Sequence, residues 1–208
     1  MDANTITVRA PLDKDKSEIQ KLVLDKATWI LKKQREYKDT IPHIKKPSFK
    51  ENSTLPYLGN NYPLTINVNQ SRSNIEIVDG KISVQVKAKR LPSNVIKRLY
   101  ESWIAEKAQG VFEDKVKKYS KKLGVRTKRI DIKDLKNRWG SLTKEGLINL
   151  NVNLLKAPED VIEYIILHEL CHLKIKEHSH HYWDLVRRFM PDYQDKIEWL
   201  KINGNNLL

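Results

Sequence analysis

The run Tyr164-Ile165-Ile166-Leu167-His168-Glu169-Leu170-Cys171-His172-Leu173 organises this chain. It contains the pattern H-E-x-x-H. On a helix, residues four apart share a face, so His168 and His172 can bridge one metal ion. Glu169, beside the first histidine, is placed to reach a metal-activated water. The pattern is short and also arises by chance, as two unrelated histidines on a helix. Its surroundings weigh against chance. Val161, Ile162, Ile165, Ile166, Leu167 and Leu170 point nearly all round the wheel, which predicts a central, buried helix. Two imidazoles and a carboxylate in such a helix are costly unless a metal or polar partners take them up.

A hydrolytic zinc site takes three protein ligands and leaves one position for water. The third ligand must come from beyond the helix, and His178, His180, His181 and Asp184 are all within reach in sequence. His178 follows His172 at the interval of the metzincin pattern H-E-x-x-H-x-x-G-x-x-H. That pattern turns on a Gly; here the position is Ile175, so the turn has to be made differently. Glu169 is the expected general base. Tyr182, His180, His181 and Arg138 are candidates for the donor that steadies the oxyanion. Cys171 lies between the ligands but points about 100° away on the wheel, which predicts a small packing residue.

The chain has 208 residues, 39% hydrophobic and 31% charged, which is the composition of a globular domain with a sizeable core. No apolar run approaches the length of a membrane span, so no membrane partner is expected. A single cysteine excludes an internal disulfide framework, and the N-terminus lacks the pattern of a standard signal peptide. The expectation is a cytoplasmic protein. Net charge is +13, and residues 81–130 hold 15 Lys and Arg against 4 Asp and Glu, a local +11. Such a face can attract nucleic acid, or it can be an ordinary solvated helix face.

Upstream of the central helix, residues 6–10 read as a short strand and residues 16–37 as one helix. Its stripe of Ile19, Leu22, Val23, Ala27, Ile30 and Leu31 is expected to be packing surface. Residues 40–56 carry Pro42, Pro47 and Pro56 and read as a loop, with His43 a surface residue. Strands are expected over 64–69, 74–78 and 81–86, the last two joined by Asp79-Gly80, in an antiparallel sheet. A long helix over 94–122 packs through Ile96, Tyr100, Trp103, Ile104, Ala108, Val111, Phe112, Val116 and Tyr119. Lys97, Lys107, Lys115, Lys117 and Lys118 are expected on its opposite, solvated face, with Gly124 as its C-cap. A strand over 125–133 and a hairpin through Gly146 precede Pro158, read as the first residue of the central helix. Tyr182, Leu185, Val186, Phe189 and Met190 predict an amphipathic helix, and a final helix over 193–202 leads to a fraying end.

Several runs taken together resemble one family: Tyr57-Leu58-Gly59 and Tyr62-Pro63-Leu64; Asn137-Arg138-Trp139-Gly140-Ser141; Ile148-Asn149-Leu150-Asn151; Leu155-Lys156-Ala157-Pro158; the H-E-x-x-H run; and His178-Ser179 followed by Tyr182-Trp183. The set is similar to the YgjP-like predicted metal-dependent hydrolases, relatives of the SprT and Spartan zinc peptidases. That family typically reads R-W-G-S-C-S, where this chain has Leu142 and Thr143 in place of the Cys and second Ser. The resemblance implies an α+β, zincin-like metallopeptidase domain: an antiparallel or mixed sheet, a central buried H-E-x-x-H helix and flanking helices. It implies one Zn2+ held by His168, His172 and His178, with Glu169 as catalytic acid and base on a protein or peptide substrate. Trp139 is read as packing under the cleft wall, with substrate contact as the other role open to it. Residues 1–91 are expected to form a β-rich part with one helix, and 92–208 the catalytic part, joined as one compact unit. Two other functions compete. One is a DNA-associated, SprT-like protease recruited by the basic 81–130 segment. The other is a non-catalytic binding module stapled by metal, which would require a fourth protein ligand such as His180 or His181.

Overall fold

The structure is a computed structural model that describes residues 6–8, 10–11, 13–40, 47–69, 73–87 and 93–207. It divides into two units, residues 1–44 and 45–208. His43, Pro42 and Arg9 lie outside the described residues, as do Pro92 and the end residue Leu208.

In the first unit, two helices replace the single one expected: α1 (Lys16–Asp25) and α2 (Ala27–Thr40). Asp15 caps α1 by accepting a hydrogen bond from the Ser17 amide at 3.1 Å. Lys26 leaves helical geometry (φ −96°, ψ 3°), so the hydrogen-bond ladder restarts after it. Ile19, Val23, Ala27 and Ile30 are half-buried, whereas Leu22, Leu24, Trp29 and Leu31 are exposed. The expected packing stripe is thus narrower than its sequence suggests. The described residues of 6–10 pair with no strand.

The second unit opens with β1 (Thr54–Tyr57), β2 (Asn60–Asn69), β3 (Asn74–Val78) and β4 (Lys81–Lys87), in the order β1-β2-β4-β3. The β3–β4 hairpin turns at Asp79 and Gly80, both at positive φ, as the Asp-Gly signal predicts. The sheet is nevertheless mixed, not antiparallel: β2 pairs with β4 in parallel. Burial explains the choice. Ile82, Val84 and Val86 of β4 are fully buried while β3 is mostly exposed, so the more apolar strand takes the central place. Pro56, assigned from sequence to the preceding loop, lies in the edge strand β1, where a missing amide costs little.

The long helix α3 (Ser93–Leu123) carries the buried stripe its periodicity predicts, and it ends at Gly124. A second sheet follows, β5-β7-β6, from β5 (Arg129–Lys133), β6 (Gly140–Leu142) and β7 (Leu147–Asn151). A 3-10 turn over Val152–Lys156 leads to α4 (Glu159–Cys171), the H-E-x-x-H helix, with Pro158 one place earlier than expected, at the cap. Then come α5 (His180–Phe189) and α6 (Tyr193–Asn203). The end does not simply fray. Leu207 is buried and its carbonyl accepts a hydrogen bond from Lys156 Nζ at 3.1 Å.

Two contacts aim α4. The β1–β2 turn places Leu58 and Gly59 at positive φ, and their amides donate to the carbonyls of Leu155 and Lys156 at 2.9 and 3.1 Å. A Cβ on Gly59 would stand 2.8 Å from Pro158 Cα, so only glycine lets this turn dock against the start of α4. The second contact corrects the reading of Lys115 as solvated. It is only 9% exposed, and its Nζ donates to Glu159 at 2.8 Å and Glu163 at 3.2 Å. Lys118 and the Tyr119 hydroxyl also donate to Glu163, at 2.8 and 2.7 Å.

This clamp between α3 and α4 makes a prediction about acid stability. Burial alone would raise the Glu163 pKa, but hydrogen bonds from Lys118, Tyr119 and Lys115 outweigh it and hold the group at about 2. Its contribution is complete above the free carboxylate value of 4.5 and drains away as pH falls toward about 2. Glu163→Gln is expected to cost roughly 2–3 kcal/mol at neutral pH and less at pH 3. Urea denaturation of both proteins at the two pH values checks it. A pH-independent difference would mean that the carboxylate is not held in this way.

Candidate metal centre

His168 and His172 extend from the last turn of α4, His172 being its C-terminal cap. The chain then turns without glycine: the amides of Leu173, Lys174 and Ile175 return to the carbonyls of Leu170, Cys171 and Cys171. His172 Nδ1 donates to the Ile175 carbonyl at 3.2 Å, which leaves its Nε2 bare and fixes the ring. This tight return brings His178 back, its Nε2 3.2 Å from His168 Nε2. One ring nitrogen from each of His168, His172 and His178 lies within 4.8 Å of the others. Ligand nitrogens on a tetrahedral zinc with bonds of about 2.0–2.1 Å stand about 3.3 Å apart, so small ring rotations close the set.

The electrostatics suit a cation. Burial, then the neighbouring His172 and His178, push the His168 pKa down to about 3. Burial also lowers His172, against the pull of the Ile175 carbonyl. Neutral imidazoles are the ligating form. His168 Nδ1 is buried without a hydrogen-bond partner. Among the described residues no fourth His, Cys, Asp or Glu joins this group, whereas a closed structural zinc site takes four protein ligands.

Glu169 is 7% exposed. Burial raises its pKa to about 7, with the positive charge of Arg138 pulling the other way. Across from it runs β6. A Cβ built on Gly140 would lie 2.8 Å from Glu169 Cγ and Oε1, so the strand backbone packs directly on this carboxylate. Beside the pair opens a cleft of about 410 Å³. Its floor is the face of α4 carrying Tyr164, Ile165, His168 and Glu169; Arg138, Trp139 and Gly140 form one wall, and Ile197, Leu200 and Lys201 of α6 the other.

The remaining candidates separate. Tyr182 is fully buried; its hydroxyl donates to the His168 carbonyl at 2.8 Å and its ring stacks on His172 at 4.7 Å. It braces two ligands from behind rather than facing the cleft. His180, His181 and Asp184 form a separate, exposed group on the first turn of α5, with His180 Nδ1 2.8 Å from Asp184 Oδ2. Arg138 and Trp139 do face the cleft. Trp139 is half-buried and its ring also packs on the backbone at Gly204, which fits the packing role read from the sequence. Cys171 is fully buried, its thiol pushed up to about 12 by burial, and it belongs to no ligand group.

Sequence reasoning missed several contributors. Asn151 is fully buried, and its side-chain amide donates to the carbonyls of Leu135 and Arg138 at 2.6 and 3.0 Å. Its own amide donates to the Trp139 carbonyl at 2.8 Å, so this one residue pins the wall containing Arg138 and Trp139. The signal was an Asn at an inward-facing position of an alternating strand. Tyr164 and the α6 wall carried no such signal, because their apolar positions read as ordinary core.

The family described as "YgjP-like, metallopeptidase domain" matches residues 1–203. Among solved structures, the metallopeptidase zymogen of Pyrococcus abyssi abylysin is 28% identical, covering 45% of this chain and 93% of that chain, with a TM-score of 0.40. The metallopeptidase zymogen of Methanocaldococcus jannaschii jannalysin is 31% identical, covering 45% and 95%, with a TM-score of 0.40. No curated protein matches. Among the described residues no helix is long and apolar enough to cross a membrane.

Proposed function

This chain belongs to the YgjP-like metallopeptidase family, a family of peptide-bond hydrolases, and on that footing we propose that it cleaves peptide bonds with one zinc ion held by His168, His172 and His178 and with Glu169 as acid and base. The observation that carries the reading is the convergence of three imidazoles beside a buried carboxylate at an open cleft. When bound, zinc supplies a Lewis acid that polarises a carbonyl and acidifies water.

The chain's own residues do the rest. Glu169 takes the proton of the attacking water and returns it to the leaving amine nitrogen. A buried carboxyl beside the cleft can serve both halves of that cycle. Tyr182 and the Ile175 carbonyl keep the ligand rings oriented. Among the described residues strand β6 pairs only with β7 and is an edge strand of its sheet. An extended substrate can lie along that edge and bring its scissile bond over Glu169.

The basic segment offers less free charge than +11 suggests. Lys115 and Lys118 pair with Glu159 and Glu163 of α4, which lie outside the segment. No nucleic-acid role is proposed.

Metal removal tests the reading. Chelation is expected to abolish casein cleavage, and one equivalent of zinc to restore it, with one ion per chain by elemental analysis. Cleavage persisting in metal-free protein would refute it.

A further inference from the structure

The cleft combines an apolar surface with unbalanced charge. Ile165 of α4 and Ile197 and Leu200 of α6 form a continuous apolar lining. Two cations, Arg138 and Lys201, also line it, one from the segment before β6 and one from α6. Among the described residues the Arg138 guanidinium makes no hydrogen bond or ion pair. Lys201 pairs only with Glu198, at 3.0 Å on the same helix face; both side chains are more than half exposed, and such pairs exchange readily for a better anion. Among the described residues the only carboxylate lining the cleft is Glu169, on which the Arg138 charge acts and whose task in the reading above is proton transfer. A cleft with low-dielectric walls and a positive rim concentrates anions. An arginine there also offers a carboxylate two parallel donors.

We infer that the cleft selects an apolar side chain with a carboxylate next to it, the apolar group lying on Ile165, Ile197 and Leu200 and the anion held between Arg138 and Lys201. The carboxylate can come from an acidic residue or from the end of the substrate chain. The inference rests on the peptidase reading and adds a substrate class to it.

The test uses the zinc-loaded full chain and peptides that share one apolar residue flanked by Glu, Gln or Lys, all C-terminally amidated. A further Gln peptide ends in a free carboxylate beside the apolar residue. The Glu peptide is expected to exceed the Gln peptide in kcat/KM by about tenfold and the Lys peptide by more, with the gap narrowing in high salt. If the terminal carboxylate is the recognised source, the free-acid peptide gains by a similar factor over its amide and the Glu substitution does not. Lys201→Glu is expected to compress the Glu-to-Lys ratio about tenfold, and Arg138→Gln to act in the same direction. Equal rates across the series, or a ratio unmoved by both variants, would overturn the inference and leave the peptidase reading standing. If no peptide is cut, that reading fails on its own account. Binding of the same peptides to zinc-loaded Glu169→Gln protein then decides the selectivity: tighter binding of the acidic members upholds it, and equal Kd values reject it.

Discussion

Glu169→Gln is expected to lower kcat on peptide substrates by roughly 10³-fold while the protein still binds one zinc ion. Gln has nearly the shape of Glu, so the contact with Gly140 and the packing of α4 persist. What disappears is the group that accepts and returns a proton. The three histidines are untouched, because Glu169 is not among the residues that converge on the metal position. Zinc stoichiometry, peptide binding and turnover, measured on one preparation, separate these contributions. Retained zinc and binding with lost turnover assign the proton to Glu169. Turnover equal to the parent would exclude it from the chemistry.

The second large effect is expected at Gly140. Its backbone has an ordinary φ, so the constraint is one of space, not conformation. Alanine would place a methyl carbon 2.8 Å from Glu169 Cγ and Oε1 and 3.1 Å from Cδ. Glu169 is buried and cannot swing aside freely, so either the carboxylate or strand β6 has to shift. A displacement of about 1 Å at a proton-transfer group costs about 10²-fold in rate. Gly140→Ala is therefore expected to lose about that much in kcat, with zinc affinity within a few-fold of the parent. Larger residues should lose folding stability as well, by about 1–3 kcal/mol from overpacking. A Gly140→Ala variant with full activity would show that β6 does not press on the carboxylate.

These two residues differ in how far they could be read from sequence. Glu169 belongs to a pattern whose geometry is local: residues four apart on any α-helix share a face, so His168 and His172 pair wherever that helix lies. Gly140 sits 29 positions away from Glu169 and contacts it only because β6 folds against α4. Its meaning was carried only by resemblance to a family. His178 is an intermediate case. Spacing put it at the metzincin interval while leaving His180, His181 and Asp184 within reach; the resemblance singled it out, and among the described residues the turn at residues 173–175 brings it, and none of those three, to the other two rings.

Elsewhere the errors share a cause. Lys115 reads as solvated because its position lies off the apolar stripe of α3, yet two carboxylates of α4 reach across to it. Tyr182 reads as a candidate donor to substrate because it is a hydroxyl near the histidines, yet that hydroxyl is taken by the His168 carbonyl. The β3–β4 turn was legible in two residues, whereas the parallel pairing of β2 with β4 was not. Pairing of distant strands is decided by which of them has the more apolar face to bury.

The sequence by itself determined the helices and hairpins, the buried central helix and the residues able to ligate a metal or carry a proton. Each follows from a local period, a turn chemistry or a donor type. Tertiary structure alone decided which histidine meets His168 and His172, that the Tyr182 hydroxyl is taken by a backbone carbonyl, how closely β6 approaches Glu169, and that α6 with Lys201 lines the cleft. The cleft draws on three segments far apart in the chain, and their meeting depends on burial and close packing summed over the whole unit, which no single stretch encodes.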